Sequence, residues 1–146
     1  MKKLAFPKKK KLISLKRLEA LTWNIFSRYI RLRDSKQSGG FGLGRLYCYT
    51  CGKLILTKQA HAGHFIHKRN SVRFLESNVH AQCSYCNTYL HGNLINYTLK
   101  MVKDYGKLHV EELRFHTSMA HKFTRDELEQ IKQTALLKID KLSQSA

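Results

Sequence analysis

Between residues 14 and 33, apolar side chains recur at spacings of three and four (Leu15, Leu18, Leu21, Ile25, Phe26, Tyr29 and Ile30), the stripe of an amphipathic helix. The opposite face carries Lys16, Arg17, Arg28, Arg31 and Arg33. Trp23 and Phe26 fall on or beside the stripe, so they read as core rather than as a base-stacking platform. Residues 35–44 hold Gly39, Gly40, Gly42 and Gly44 and predict a flexible loop, the best hinge in the chain. Residues 53–57 and 60–66 then read as two short strands of one hairpin, and 69–75 as an irregular basic excursion. A helix is expected from about Cys86 or Asn87. Gly92 interrupts it, and residues 94–105 continue with Leu94, Ile95, Leu99 and Val102 at core spacing before Gly106. Residues 110–115 predict a further short helix. Thr124 and Glu127 form a capping box, ahead of an apolar face of Leu128, Ile131, Ala135, Leu136 and Ile139.

With 146 residues the chain is long enough for one domain with helical extensions. The division expected is a basic flexible arm at 1–13 and a single domain at 14–146. Composition narrows the partners. Lys and Arg number 27 against 10 Asp and Glu, a formal charge of +17, and the phosphate backbone is the usual polyanion for so basic a chain. A non-binding basic surface and an acidic membrane surface are the alternatives, but no lipidation motif supports the second. No apolar run approaches the ~18 residues of a membrane span. In the arm, Lys2, Lys3, Lys8, Lys9, Lys10 and Lys11 repel one another and either order on phosphates or act as a solubilising tail. Pro7 and the lysine run break the apolar stretch Leu4-Ala5-Phe6 before a signal sequence can form, so a cytoplasmic protein is expected.

Chemistry enters with two C-x-x-C pairs, Cys48/Cys51 and Cys83/Cys86, which bracket His61, His64, His67, Asn78 and His80 and are followed by Asn87. In a reducing compartment paired cysteines favour metal over disulfide, and four thiolates close a tetrahedral site for one structural Zn²⁺. Gly52 permits the turn that aims the first pair at one ion. Neither pair begins a helix in a βαβ context, which argues against redox chemistry. The imidazole and amide groups between the knuckles are of the types that hold a second, catalytic metal.

The order of knuckle, histidine strand, asparagine, knuckle and helix resembles the His-Asn-His (HNH) endonuclease superfamily of the ββα-metal fold. More narrowly, Tyr29-Ile30-Arg31-Leu32-Arg33-Asp34, Ala62-Gly63-His64-Phe65, Arg73-Phe74, Gln82-Cys83 and Cys86-Asn87 through Gly92-Asn93 are similar to the phage Rap/NinG recombination endonucleases. The resemblance spans residues 23–106. It implies an α+β fold: a small ββα-metal core with a Cys₄ zinc site and flanking helices. It also implies His64 as the general base, Asn78 as the residue orienting it, and Asn87 as a ligand of a catalytic Mg²⁺ or Mn²⁺. Physical chemistry agrees, since a neutral imidazole takes a proton from water near neutral pH when its other nitrogen is held. Many members place an acidic metal ligand just before the base, where this chain has Gly63. His61 is the candidate substitute, much as endonuclease VII has an aspartate three residues before a histidine. A regular strand would send His61 and His64 to opposite faces, so a bulge at Ala62-Gly63 is expected. An imidazole ligand would favour Mn²⁺ over Mg²⁺.

Asn87 can alternatively cap the following helix. His67 and His80 read as supports of the site or phosphate contacts, or equally as solvated surface. His91, His109, His116 and His121 carry no argument for chemistry. Lys68, Arg69 and Arg73 follow the histidine strand closely enough to grip the scissile strand, with Arg31, Arg33, Lys8, Lys9 and Lys10 adding to the phosphate surface. A plain electropositive rim is the alternative. Tyr85 and Tyr89 either stack on bases or pack the metal-site helix. The resemblance implies hydrolysis of branched DNA, D-loops and four-way junctions, leaving a 5′-phosphate and a 3′-hydroxyl. A homodimer and recombination-protein partners are compatible with it, and no membrane partner is expected. The rival functions are a non-enzymatic zinc-ribbon protein that binds nucleic acid and a site-specific HNH endonuclease.

Overall fold

The computed structural model describes residues 12–40, 43–66, 71–116 and 120–144. The calls on Lys8, Lys9, Lys10 and the rest of the basic arm to Lys11, and on His67, Lys68 and Arg69, lie outside them. Helix α1 spans Leu15–Gln37 and starts where Ser14 Oγ accepts the Arg17 amide at 3.3 Å. It runs past the predicted end at Arg33 because its last turns bury polar groups that have distant partners. Asp34 accepts from the backbone of Ala81 at 2.6 Å, and Ser35 Oγ donates to the Arg45 carbonyl at 2.6 Å.

Two antiparallel ribbons follow. Strand β1 (Arg45–Tyr47) pairs with β2 (Leu54–Leu56), and β3 (His61–His64) pairs with β4 (Val79–Gln82). This corrects the predicted hairpin of residues 53–57 with 60–66, whose strands belong to different ribbons. A tight turn at Thr57–Gln59 separates them. The true partner strands are hard to read: β1 is three residues long, and in β4 the alternation of Val79 and Ala81 with His80 and Gln82 marks no solvated face, because all four residues are buried. The glycine loop ahead of β1 is closed by Leu43 N–H and Arg45 N–H on the Gly40 carbonyl, at 3.1 and 3.3 Å. A side chain at Gly40 would overlap the Arg45 carbonyl, so the loop is packed backbone to backbone.

After β4 the chain makes one wide helical turn at Tyr85–Tyr89, with the Leu90 amide bonded to the Tyr85 carbonyl at 3.0 Å. Helix α2 (Leu94–Tyr105) ends at Gly106, whose φ of +86° a glycine accepts without strain, and α3 (Lys107–Phe115) starts directly after it. Helix α4 spans Arg125–Gln144. Its capping box is formed as expected: Thr124 N donates to Glu127 at 2.7 Å and Glu127 N to Thr124 Oγ1 at 3.3 Å.

One core joins α1 to α4 through Leu18, Phe26, Ile30, Leu128, Ala135 and Ile139, with Phe74 and Val79 beneath. A second joins Phe65, Ile66 and Val72 to Tyr97, Met101, Val110 and Leu113. The α2 face is therefore corrected. Ile95 and Leu99 are 80% and 65% exposed, whereas Tyr97 and Met101 are fully buried. Tyr97 turns inward because its hydroxyl finds partners there, donating to the Gly63 carbonyl at 3.0 Å and lying 3.1 Å from His80 Nδ1. No helix among the described residues is long and apolar enough to cross a membrane.

Candidate functional site

The four cysteines meet although they come from separate ribbons. In the first knuckle Gly52, at φ +71°, lets its amide reach the Cys48 carbonyl at 2.9 Å. The Tyr49 amide then bonds the Ala81 carbonyl at 2.8 Å, which lays this knuckle beside the end of β4. Cys83 and Cys86 follow β4 directly. All four sulfurs lie within 4.8 Å of one another, and Cys51 and Cys83 are 3.9 Å apart. Tetrahedral zinc with bonds of about 2.3 Å needs sulfurs about 3.8 Å apart. All four cysteines are free thiols. Among the described residues this is the one group of three or more His, Cys, Asp or Glu that could hold a metal.

The surroundings suit an ion. Burial acts to raise the Cys48 thiol, but the Thr50 hydroxyl and the amides of Cys51, Cys83 and Thr50 outweigh it and bring it down to about 6. Cys51 is pushed up to about 12 by burial, with the neighbouring Cys48 and Cys86 thiols adding to the rise. One thiolate forms readily and its charge discourages the next, a conflict that a divalent cation removes. Asn93 Nδ2 donates to Cys86 Sγ and the Cys86 amide to Cys83 Sγ, both at 3.4 Å.

Beside this cage lies a cleft of about 530 Å³ lined by Trp23, Ala62, His64, Phe65, Arg73, Asn87, His91, Gly92 and Leu94. His64 Nε2 is 3.0 Å from the Arg73 carbonyl, which can only accept, so Nε2 carries a proton and donates it. Trp23 stacks on the imidazole with centroids 4.7 Å apart and an interplanar angle of 19°. It is half-buried, packing against the core that joins α1 to α4 as well as on His64. Arg73 lies over the Trp23 and Phe74 rings, 5.7 and 5.1 Å from their centroids, and is ion-paired with Glu19 of α1.

Asn78 is fully buried, and its side chain bonds the backbone of Ile66 and Val72. Its Oδ1 accepts from Ile66 N at 2.7 Å, and its Nδ2 donates to the Ile66 and Val72 carbonyls at 3.1 and 3.0 Å. It thus staples the chain leaving β3 to the chain entering Arg73, whose carbonyl orients His64. His61 and Asn87 meet directly, Nδ1 to Nδ2 at 3.0 Å. The expected bulge is absent: pairing runs one to one from His61↔Gln82 to His64↔Val79, leaving His61 and His64 on opposite faces. His61 meets Asn87 without it, on the face that it shares with Gly63.

Two surface assignments are corrected. Arg33 was expected on phosphates, yet it donates to Asp34 at 2.7 Å and to the Glu76 and Val79 carbonyls at 2.9 Å each. Its donors are spent holding β4 to α1. Arg31 is half-buried, with Nη1 3.5 Å from the Ala60 carbonyl, and shares a groove with Arg28 and Lys58. His80 is neither solvated nor a phosphate contact. It stacks on Tyr49 at 3.8 Å, is bonded by the Tyr97 and Tyr105 hydroxyls, and is held neutral, its pKa brought down to about 3 by burial and then by Arg33 and Lys100. Tyr85 and Tyr89 are exposed and stack on each other at 6.0 Å. Sequence reasoning read Trp23 as core and passed over it as a neighbour of the base, and it gave Gln82 no role beyond its place beside Cys83.

A sequence model of the family described as "NinG: Bacteriophage Lambda NinG protein" matches residues 2–145. Protein ninG of Escherichia phage lambda is 34% identical over 89 residues, covering 60% of this chain and 43% of that protein. Protein ninG of Salmonella phage P22 gives the same figures, 34% over 89 residues, 60% and 43%. Protein ninG of Enterobacteria phage H19B is 31% identical over 102 residues, covering 68% of this chain and 50% of that protein. The matched region thus spans half or less of these relatives. No solved structure matches the chain.

Proposed function

This chain belongs to the bacteriophage lambda NinG family, and from that premise we propose that it is a metal-dependent DNA endonuclease of the HNH type, acting on branched recombination intermediates such as D-loops and four-way junctions. The observation that carries the reading is the setting of His64: its Nε2 donates to the Arg73 carbonyl, Trp23 covers its ring, and Asn87 lines the same cleft. A structural histidine needs no such tautomer control beside an open cleft. Two antiparallel strands followed by a helical turn, with the histidine on the first strand, are in keeping with a ββα-metal core. The formal charge of +17 suits a polyanionic substrate.

In this mechanism His64 takes the proton of the attacking water at Nδ1, while the Arg73 carbonyl holds the resulting imidazolium in place. Asn78 acts as a positioning residue by fixing the backbone on both sides of the intervening loop. Arg73 exchanges Glu19 for the phosphate, which its planar fork binds bidentately. A divalent ion, Mg²⁺ or Mn²⁺, with Asn87 among its ligands and His61 beside it, would stabilise the charge developing on the phosphate and leaving oxygen. Zn²⁺ in the cysteine cage would hold the two ribbons together.

The test is cleavage of labelled linear, flapped, D-loop and four-way DNAs of matched sequence with Mg²⁺ or Mn²⁺, beside His64→Ala. Branched substrates should be cut faster and near the branch. His64→Ala should lose about two or more decades in rate, as for a missing general base, with DNA affinity nearly intact. Equal cutting of linear duplex, or cleavage that follows a base motif, would make the protein a site-specific enzyme. Zinc-loaded protein that binds DNA and cuts none would make it a binding module.

A further inference from the structure

Gly63 lies between Ala62 and the proposed base, and the space its missing side chain leaves is not empty of chemistry. A Cβ built there would overlap Gln82 Oε1 from the neighbouring strand and come within 2.9 Å of Asn87 Oδ1. Two carboxamide oxygens therefore converge on one point at the edge of β3. Their orientation is set by their own amide groups. Gln82 Nε2 donates to Thr50 Oγ1 at 3.1 Å and to the Gly92 carbonyl at 2.8 Å, so the end turned to Gly63 is the oxygen. Asn87 Nδ2 lies 3.0 Å from His61 Nδ1, which turns Asn87 Oδ1 the same way. Gln82 is fully buried, and its Oε1 has no hydrogen-bond partner among the described residues.

A buried amide oxygen with no donor calls for a partner, and two acceptor oxygens brought to one point select a cation. We propose that Gln82 Oε1 and Asn87 Oδ1 are the protein's oxygen ligands for the divalent ion, with Gln82 supplying from β4 the ligand that Gly63 cannot supply from β3. The inference rests on the metal-dependent reading above and assigns that site's chemistry. His61 becomes a positioning residue, whose Nδ1 accepts from Asn87 and holds its oxygen beside Gln82 Oε1. Both ligands are neutral. The free protein therefore binds the ion weakly, and the DNA phosphate completes the charge balance, so ion and DNA bind with positive coupling.

The probe is Mn²⁺ alone, titrated into the zinc-loaded full chain with binding followed by the loss of the free-ion electron paramagnetic resonance signal and zinc content as the check on folding. Gln82→Met, which removes the oxygen and keeps the volume, should weaken Mn²⁺ binding roughly tenfold or more while zinc stays. Asn87→Asp and Gln82→Glu should each tighten it by a similar factor, because ligand charge sets affinity at such sites. Unchanged binding in Gln82→Met would overturn the assignment and leave the metal-dependent reading standing. Should Gln82→Met lose its zinc, Gln82→Glu decides, and no gain in affinity there overturns it equally. If neither the wild type nor the two acidic variants binds Mn²⁺, with or without duplex DNA, the reading of a metal-dependent site fails as a whole.

Discussion

The pair of Arg33 and Asp34 offers the sharpest test of how this fold is held. Both side chains are about nine-tenths buried, 11% and 10% exposed, and their 2.7 Å bond sits where α1 meets β4. Asp34→Ala removes two things at once: the counter-charge of Arg33 and the acceptor of the Ala81 amide. Breaking one partner of a buried pair costs about 3–5 kcal/mol, because the other charge remains buried without compensation. Two features set the value within that range. Arg33 keeps its bonds to the Glu76 and Val79 carbonyls, which soften the loss. The Ala81 amide keeps nothing, and an unmet buried donor costs about 1–3 kcal/mol. An effect near 4 kcal/mol corresponds to a fall in Tm of roughly 10 °C for a chain of this size. The assay is urea denaturation at fixed zinc, followed through the emission of Trp23, the single tryptophan. The midpoint should drop with an unchanged slope. A loss under about 1 kcal/mol would refute the reasoning and return Arg33 to the list of surface cations.

Native mass spectrometry should find one Zn²⁺ per chain, and Cys86→Ser should lower both zinc content and stability; zinc-free protein with protected disulfides would sink the cage. His80 is neutral in the fold, with a pKa of about 3 against about 6.5 when unfolded, so its contribution is complete above pH 6.5 and is lost as the pH falls toward 3. Stability at saturating zinc should decline by about 1.4 kcal/mol per pH unit below 6.5, and a slope unchanged in His80→Gln would remove this histidine as the cause. DNA affinity should fall steeply with salt, with a shallower slope in a chain lacking residues 1–11, and equal slopes would make the arm a bystander.

What could be read from the sequence was what depends on near neighbours. The Thr124/Glu127 box, the stop at Gly106 and the cysteine knuckles are set within a few residues, and each formed as expected. Strand pairing was not legible. Val79 meets His64 only because the chain returns after fifteen residues, and nothing in either four-residue strand names its partner. Polar residues misled for the same reason: Arg33 and His80 look like surface groups until distant segments supply their partners. On α2 the periodicity was sound but the face was wrong. Tyr97 wins the interior through two polar contacts that hydrophobicity does not weigh.

The cysteine cage also acts on the part of the chain it does not touch. Cys51 and Cys83 are 32 residues apart, and His61, Gly63, His64, Arg73, Asn78 and Gln82 all lie between them. An ion there converts that stretch from an open chain into a closed ring, and closing a ring of this length removes about 4 kcal/mol of unfolded-chain entropy. The freedom removed belongs to the very residues that must meet around the cleft. Metal uptake and assembly of the histidine strand are then one event in folding, and a newly made chain would wait for its ion before its strands could find their register.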